Sequence, residues 1–280
     1  MKEKSKLKEY FWRLLFLAII IFFLWYFFPT FFIKNMKPIL STANFKKFSH
    51  SRIQWQQLSE GLEIGDILWK NKQTGFSTTI FLLRVNLDFF SLRVLYNKLL
   101  TTAKEIAASE GAAAAINASF FDPNGRPLGL IVQNRKIVQP LPRLSMKNSG
   151  IFCLKYARPQ ILHRNAFASE GVVEAIQSFP RLINHGQPIK DIKNDSEITR
   201  RSGVAVDYRG RLIFYITDTQ LSGISFSELQ NFLMLPELNV KSALNLDGGR
   251  SSQLYIDFNN YSKEISGLSE VPVFLGIFSK

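Results

Sequence analysis

The residues best suited to chemistry lie within 242–256, Ser-Ala-Leu-Asn-Leu-Asp-Gly-Gly-Arg-Ser-Ser-Gln-Leu-Tyr-Ile. An apolar run of Ala243, Leu244 and Leu246 stops at Asp247 and gives way to Gly248 and Gly249. Glycine has no side chain to clash, so the backbone can turn sharply there or approach a ligand closely. Around that turn, Asn245, Asp247, Arg250, Ser251 and Ser252 place an amide, a carboxylate, a guanidinium and two hydroxyls at the end of a predicted strand. Polar groups gathered on a rigid strand end are a common form of binding or catalytic site. A hairpin turn with incidental polar residues is the competing interpretation.

A second polar cluster, Asn117-Ala-Ser-Phe-Phe-Asp-Pro-Asn-Gly, follows a small apolar run at 112–116. Asn117, Ser119 and Asp122 are candidates for contact with a polar ligand, and Phe120 and Phe121 for the wall of a pocket. Residues 122–125 also make an ordinary turn. Arg181 sits between apolar neighbours. A buried arginine must be paired, either with a substrate phosphate or in a structural salt bridge. Arg201, in Arg200-Arg201-Ser202-Gly203, stands just before a predicted hairpin.

These residues need elements to position them. Residues 62–69 and 79–96 alternate or run apolar in strand fashion. Thr102 and Glu105 form a capping-box pair, predicting a short helix that ends at Gly111. Residues 128–133 and 136–138 read as a hairpin around Asn134-Arg135, and 151–156 and 159–162 as further strands. Residues 169–177 are expected to be a short helix. Residues 204–208 and 211–217 form a hairpin around Arg209-Gly210, with Asp218 closing it. Ser225 and Glu228 make a second capping box, opening a helix that runs to about Leu235 and is stopped by Pro236. Residues 271–278 close the chain as an apolar strand. The fold class expected is α+β: a single mixed-sheet domain with about three short helices, spanning 59–280.

The bulk composition narrows the class. With 280 residues and 46% hydrophobic content the chain can bury a sizeable core. Its net charge of +13 is partly local, because the first 40 residues carry seven Lys or Arg against Glu3 and Glu9. The milder excess beyond them suits an anionic partner such as a phosphate-bearing polymer. No zinc finger, recognition helix or aromatic-interleaved basic run points to nucleic acid. The lone Cys153 has apolar neighbours and is expected to be a buried, inert thiol. His50, His163 and His185 are scattered, and no Cys/His cluster has metal spacing, so neither a metal nor a cofactor is expected.

Residues 14–33 hold no charge, and a helix of that length spans about 30 Å, a bilayer core. The lysines ahead of it predict a cytoplasmic tail at 1–10, an uncleaved signal anchor at 11–33, and a polar spacer at 34–58. The remainder is then expected outside the cytoplasmic membrane. A cleaved signal peptide is the rival, but the apolar stretch is long for one and no small-x-small site follows.

Several blocks resemble the phosphodiester glycosidase family, whose lysosomal "uncovering enzyme" removes N-acetylglucosamine from a phosphodiester. Asn117-Ala-Ser-Phe-Phe resembles the family's Asn-Gly-Gly-Phe-Phe, and Asp247-Gly-Gly-Arg-Ser-Ser its Asp-Gly-Gly-Gly-Ser-Ser. Leu128-Gly-Leu-Ile-Val, Pro180-Arg-Leu-Ile and Arg201-Ser-Gly-Val-Ala-Val-Asp follow family blocks in the family's order. Ala118, Ser119 and Arg250 replace family glycines, and Phe179 stands where a glycine is common. The resemblance implies a hydrolase acting on a sugar-1-phosphodiester in an envelope glycopolymer or its precursor. Asp247, with Asp122 as second candidate, would be the catalytic carboxylate. Arg201, with Arg181 or Arg250, would hold the phosphate. Asn117, Ser119, Asn245, Gly248, Gly249 and Ser251 would line the substrate. A non-enzymatic module binding an anionic polysaccharide during its assembly or export is the alternative, which the glycine losses favour.

Overall fold

The computed structural model describes residues 52–70, 75, 77–143, 148–192, 196–219 and 222–280. The expected tail and signal anchor lie outside them. Among the described residues, no helix is long and apolar enough to cross a membrane. The end of the expected spacer is already strand, because β1 covers Gln54–Ser59.

Three sheets make up the fold. In the first, β1 pairs with β2 (Leu62–Lys70), which pairs with β3 (Ser77–Val85). The sheet continues through β14 (Leu212–Thr217), β13 (Ser202–Asp207), β15 (Val240–Asn245), β11 (Arg181–Asn184) and β12 (Gln187–Pro188). The second runs β7 (Lys136–Gln139), β6 (Ile131–Gln133), β10 (Val172–Ser178), β8 (Gly150–Lys155), β9 (Arg158–His163). The third runs β17 (Tyr261–Ile265), β16 (Leu254–Phe258), β5 (Ala114–Asn117), β18 (Val271–Ser279), β4 (Phe90–Thr101). The strand pairings described within all three are antiparallel. Among the described residues this corrects the mixed-sheet α+β expectation to a mostly β domain with two short α-helices, α1 (Ala103–Glu110) and α2 (Phe226–Leu233). The physical reason is the punctuation: many strands are joined by tight turns, and a tight turn joins only antiparallel neighbours.

Period-two alternation separates the faces. On β13 and β14, Val204, Val206, Leu212, Phe214 and Ile216 enter a core shared by all three sheets. Ala205, Ile213 and Tyr215 face the other way, under α2. Both strands are therefore buried throughout. α1 covers the outer face of the third sheet, packing Ile106 and Ala107 with Phe274 and Phe278. Glu174 of β10 ties the second sheet to the third, accepting from the Val94 amide at 2.9 Å and the Asn134 amide at 3.1 Å.

Local chemistry accounts for the element ends. Thr102 and Glu105 form the full capping box of α1, and Gly111 ends it in the left-handed region at φ 67°. Ser225 caps α2 through the Glu228 amide, but the expected reciprocal bond is missing. The Glu228 carboxylate instead accepts from the Trp69 indole. Asn134 and Arg135 both take positive φ, 48° and 63°, as a two-residue hairpin between β6 and β7 requires. The helix expected at 169–177 is strand β10. Its Glu, Ala and Gln favour helix locally, but pairing with β6 on one side and β8 on the other decides the outcome. Cys153 is fully buried in β8, and burial pushes its thiol up to about 11.

Gly203 shows how tightly the sheet is built below the turn at Asp247. A Cβ added there would lie 2.0 Å from the Tyr215 ring, whose hydroxyl donates to the Leu244 carbonyl at 2.9 Å. Overpacking at such a position costs about 1–3 kcal/mol. Gly203→Ala is expected to lower stability by about 3 kcal/mol, read as a shifted urea midpoint with unchanged slope. An unshifted midpoint would contradict the packing described.

Candidate functional site

The two polar clusters meet. The Asp247 amide donates to the Ala118 carbonyl at 2.8 Å. The Asp247 carbonyl accepts from Asn117 Nδ2 at 2.5 Å and from Ser202 Oγ at 3.1 Å. Asn117 Oδ1 in turn accepts from the Gln253 amide at 3.1 Å. The Gly249 amide donates to the Arg200 carbonyl at 2.8 Å, and Arg200 Nη2 donates to the Ser252 and Ser266 carbonyls at 2.9 and 2.8 Å. The turn after β15 is thus stitched to β5 on one side and to the start of β13 on the other. Both glycines are needed: Gly249 has φ 61°, and a Cβ on Gly248 would lie 3.0 Å from the Arg200 carbonyl oxygen.

The wall on the other side comes from the β10–β11 connection. Asn245 donates its amide N–H to the Pro180 carbonyl at 3.0 Å, and Nδ2 to the Phe179 carbonyl at 3.0 Å and the Leu246 carbonyl at 2.6 Å. Phe179 stacks on Phe120 with centroids 4.3 Å apart, so the two aromatic residues close one side together.

The electrostatics centre on Asp247. Burial raises its carboxyl to about 6, and a hydrogen bond from Ser251 pulls in the opposite direction. Arg201 is buried more deeply, with its guanidinium 3.7 Å above the Phe226 ring. Burial lowers it to about 10, so it stays a cation at neutral pH. Its Nε and Nη2 donate to the Ile224 and Glu197 carbonyls at 3.4 and 3.0 Å. Among the described residues it makes no ion pair. Among the described residues Nη1 has no acceptor, and it lies 3.8 Å from where a Gly248 Cβ would be, so it is available beside the turn. Four buried polar atoms on the same segments, Ser119 Oγ, Ser178 Oγ, Asn245 Oδ1 and Ser252 Oγ, have no hydrogen-bond partner among the described residues. Buried polar atoms are ordinarily satisfied, so this grouping is unusual.

The sequence candidates divide accordingly. Asp247, Gly248, Gly249, Ser251, Asn245, Ser119 and Arg201 sit at or beside the turn. Asn117 is there too, but it is fully buried and its amide is spent on holding backbone. Asp122 serves its own loop, with Oδ1 accepting from the Asn124 and Arg126 amides at 2.8 and 2.9 Å, so residues 122–126 form the ordinary turn. Arg181 extends along β11 to Asn184 Oδ1 at 3.3 Å and makes no contact with Asp247. Arg250 is exposed and donates to the Leu268 carbonyl at 3.2 Å, leaving Asp247 unpaired. Among the described residues no group of three or more His, Cys, Asp or Glu side chains gathers to hold a metal. Sequence reasoning missed Arg200, Ser202 and Gln253, which hold the turn. The Arg200-Arg201 doublet was a signal for the first, while the other two carry none.

Residues 110–278, which include both motifs and the turn, match the profile of the phosphodiester glycosidase family. The chain belongs to the phosphodiester glycosidase family. Among solved structures, this phosphodiester glycosidase domain is similar to the catalytic domain of zebrafish N-acetylglucosamine-1-phosphodiester alpha-N-acetylglucosaminidase, auto-inhibited by its pro-peptide. That match has a TM-score of 0.63 at 19% identity, covering 82% of this chain and 88% of that one. A hypothetical protein from Synechocystis matches with TM-score 0.57 at 16% identity, covering 82% and 64%. A Burkholderia pseudomallei protein matches with TM-score 0.52 at 11% identity, covering 75% of each chain. At these identities the likeness establishes the fold. A comparison with curated protein sequences finds no match.

The raised Asp247 has a stability consequence. A carboxyl whose folded value lies above its ordinary one of 3.8 binds its proton more tightly when folded. The stability cost is therefore absent below about pH 4, grows as pH rises, and is complete above about 6. Asp247→Asn is expected to melt with wild type at pH 4 and to be more stable at pH 8 by roughly 2–3 kcal/mol. Parallel melting curves at both pH values test this; a pH-independent difference would mean the carboxyl is not desolvated.

Proposed function

We propose that this member of the family is a hydrolase that cleaves the glycosidic bond of a sugar-1-phosphodiester in an envelope glycopolymer or its precursor. The observation that carries the proposal is Asp247, a half-buried carboxyl pushed up to about 6 by desolvation, on a rigid turn beside a cation with an unused donor edge. A phosphate monoester is a fair leaving group and needs little acid assistance. Arg201 Nη1 would stabilise the charge that develops on it. Ionised Asp247 would take a proton from water as the water oxygen bonds to the anomeric carbon, while the bond from that carbon to the phosphate oxygen breaks. The electron pair leaves with the phosphate. The unpartnered Ser119, Ser178, Asn245 and Ser252 atoms suit a polyol such as a sugar.

The non-enzymatic alternative drew on the lost glycines. Ala118 packs its methyl in the shared core. Arg250 points away from Asp247. Neither blocks the carboxylate, and this favours the enzyme. The stretch 11–33 would tether the domain on the extracytoplasmic side of the cell membrane, where such polymers lie.

The test is release of free sugar from a panel of sugar-1-phosphodiesters by the full chain. Asp247→Asn is expected to lose activity by about 10²- to 10⁴-fold. Wild-type turnover should rise with pH through about 6, as the carboxyl ionises. An active Asp247→Asn chain, or a flat profile between pH 5 and 7, would sink the assignment.

A further inference from the structure

The strands that carry Asp247 end, at their other tips, in a second concavity of about 820 Å³. Ser242 and Asp247 are separated by five strand-like steps, roughly 16 Å at the usual rise. Arg158 and His163 of β9, Arg181 of β11, Arg209 in the β13–β14 turn and Lys241 of β15 all line it. Its carboxylates do not balance them. Asp207 is committed: Oδ1 accepts from the Arg209 and Arg211 amides at 2.9 and 2.8 Å, and Oδ2 from Arg211 Nε at 2.8 Å. That leaves Asp88, exposed on the β3–β4 turn.

Among the described residues, Arg158, Arg181, Arg209 and Lys241 make no ion pair. Arg181 is half-buried against Gly150, and its Nε is buried with no acceptor. His163 is held below its ordinary value, chiefly by burial and then by the charges of Arg181 and Arg164, so the local field is positive. Gathering four like charges around one concavity and leaving a buried guanidinium N–H unsatisfied both cost stability. A bound polyanion with oxygen acceptors offsets both. Asn184 fixes the guanidinium through Oδ1, and the exposed Tyr208 at the rim offers a flat apolar face. One aromatic face suits a sugar ring between phosphates better than a run of stacked bases.

We propose that this cleft is a second binding site, for a phosphate-bearing stretch of the glycopolymer whose phosphodiester is cleaved at Asp247. The polymer's being the substrate rests on the proposed hydrolase; the anion site itself does not.

The experiment uses the full chain carrying Asp247→Asn, which removes turnover, and fluorescently labelled poly(glycerol phosphate) followed by anisotropy. Binding is expected to weaken as salt is raised. Arg158→Glu, Arg209→Glu and Lys241→Glu together should raise Kd roughly tenfold or more, since each exposed charge contact is worth up to about fivefold. Charge reversal of the distant Lys98, Arg135 and Lys136 should change it less than about twofold. All six side chains are exposed, so matching melting curves are expected to exclude misfolding. Arg181→Gln tests the floor separately and should also weaken binding. Unchanged affinity in the cleft variant, or equal loss in the distant one, would overturn the site. Equally tight binding of an oligothymidylate of matched charge would overturn its assignment to a glycan. Turnover of a short sugar-1-phosphodiester by the wild-type chain is scored apart. Binding without turnover removes the hydrolase and leaves the cleft, and turnover with cleft-independent binding does the reverse.

Discussion

One side-chain amide holds the candidate site together. Asn117 donates to the Asp247 carbonyl and accepts from the Gln253 amide, so the two ends of the β15–β16 turn are tied to the tip of β5. Asn117 has no exposed surface, and in such surroundings an amide that loses a partner cannot turn to water instead. Gln253 extends the bridge by accepting from the Ala103 amide at 2.7 Å, which connects the turn to the start of α1. The turn is therefore rigid because three separate elements close on it.

That rigidity explains how Asp247 can be desolvated at all. A carboxylate on a mobile loop would move to water rather than accept burial. Here its backbone is pinned at both the amide and the carbonyl, so the side chain must take the environment it is given. The raised carboxyl costs stability near neutral pH, a pattern that functional sites often show.

Much of this was legible in the chain itself. The glycine pair after an apolar run marked the turn, and the capping box at Thr102 marked α1. The hairpin around Asn134-Arg135 declared itself through turn chemistry. What escaped has a common cause, which is that partners distant in sequence decide the outcome. The strand β10 looked helical because its residues favour helix locally, and only the strands flanking it override that preference. Glu228 looked like the second half of a capping box until Trp69, far away in the chain, claimed its carboxylate. Asn117 and Arg181 have the chemistry of ligand-binding residues, yet sequence cannot say that the first is spent on backbone and that the second reaches a different cleft. Ser202 and Gln253 left no trace because a serine and a glutamine are unremarkable until their neighbours are known.

The burial of Cys153 has a practical side. The chain has no other cysteine, and this one is fully buried with a thiol that ionises only near pH 11. To a maleimide at neutral pH the described domain is silent. A cysteine placed at an exposed position such as 250, at the tip of the turn, would then take a dye alone. The turn could be watched by fluorescence without removing any native thiol.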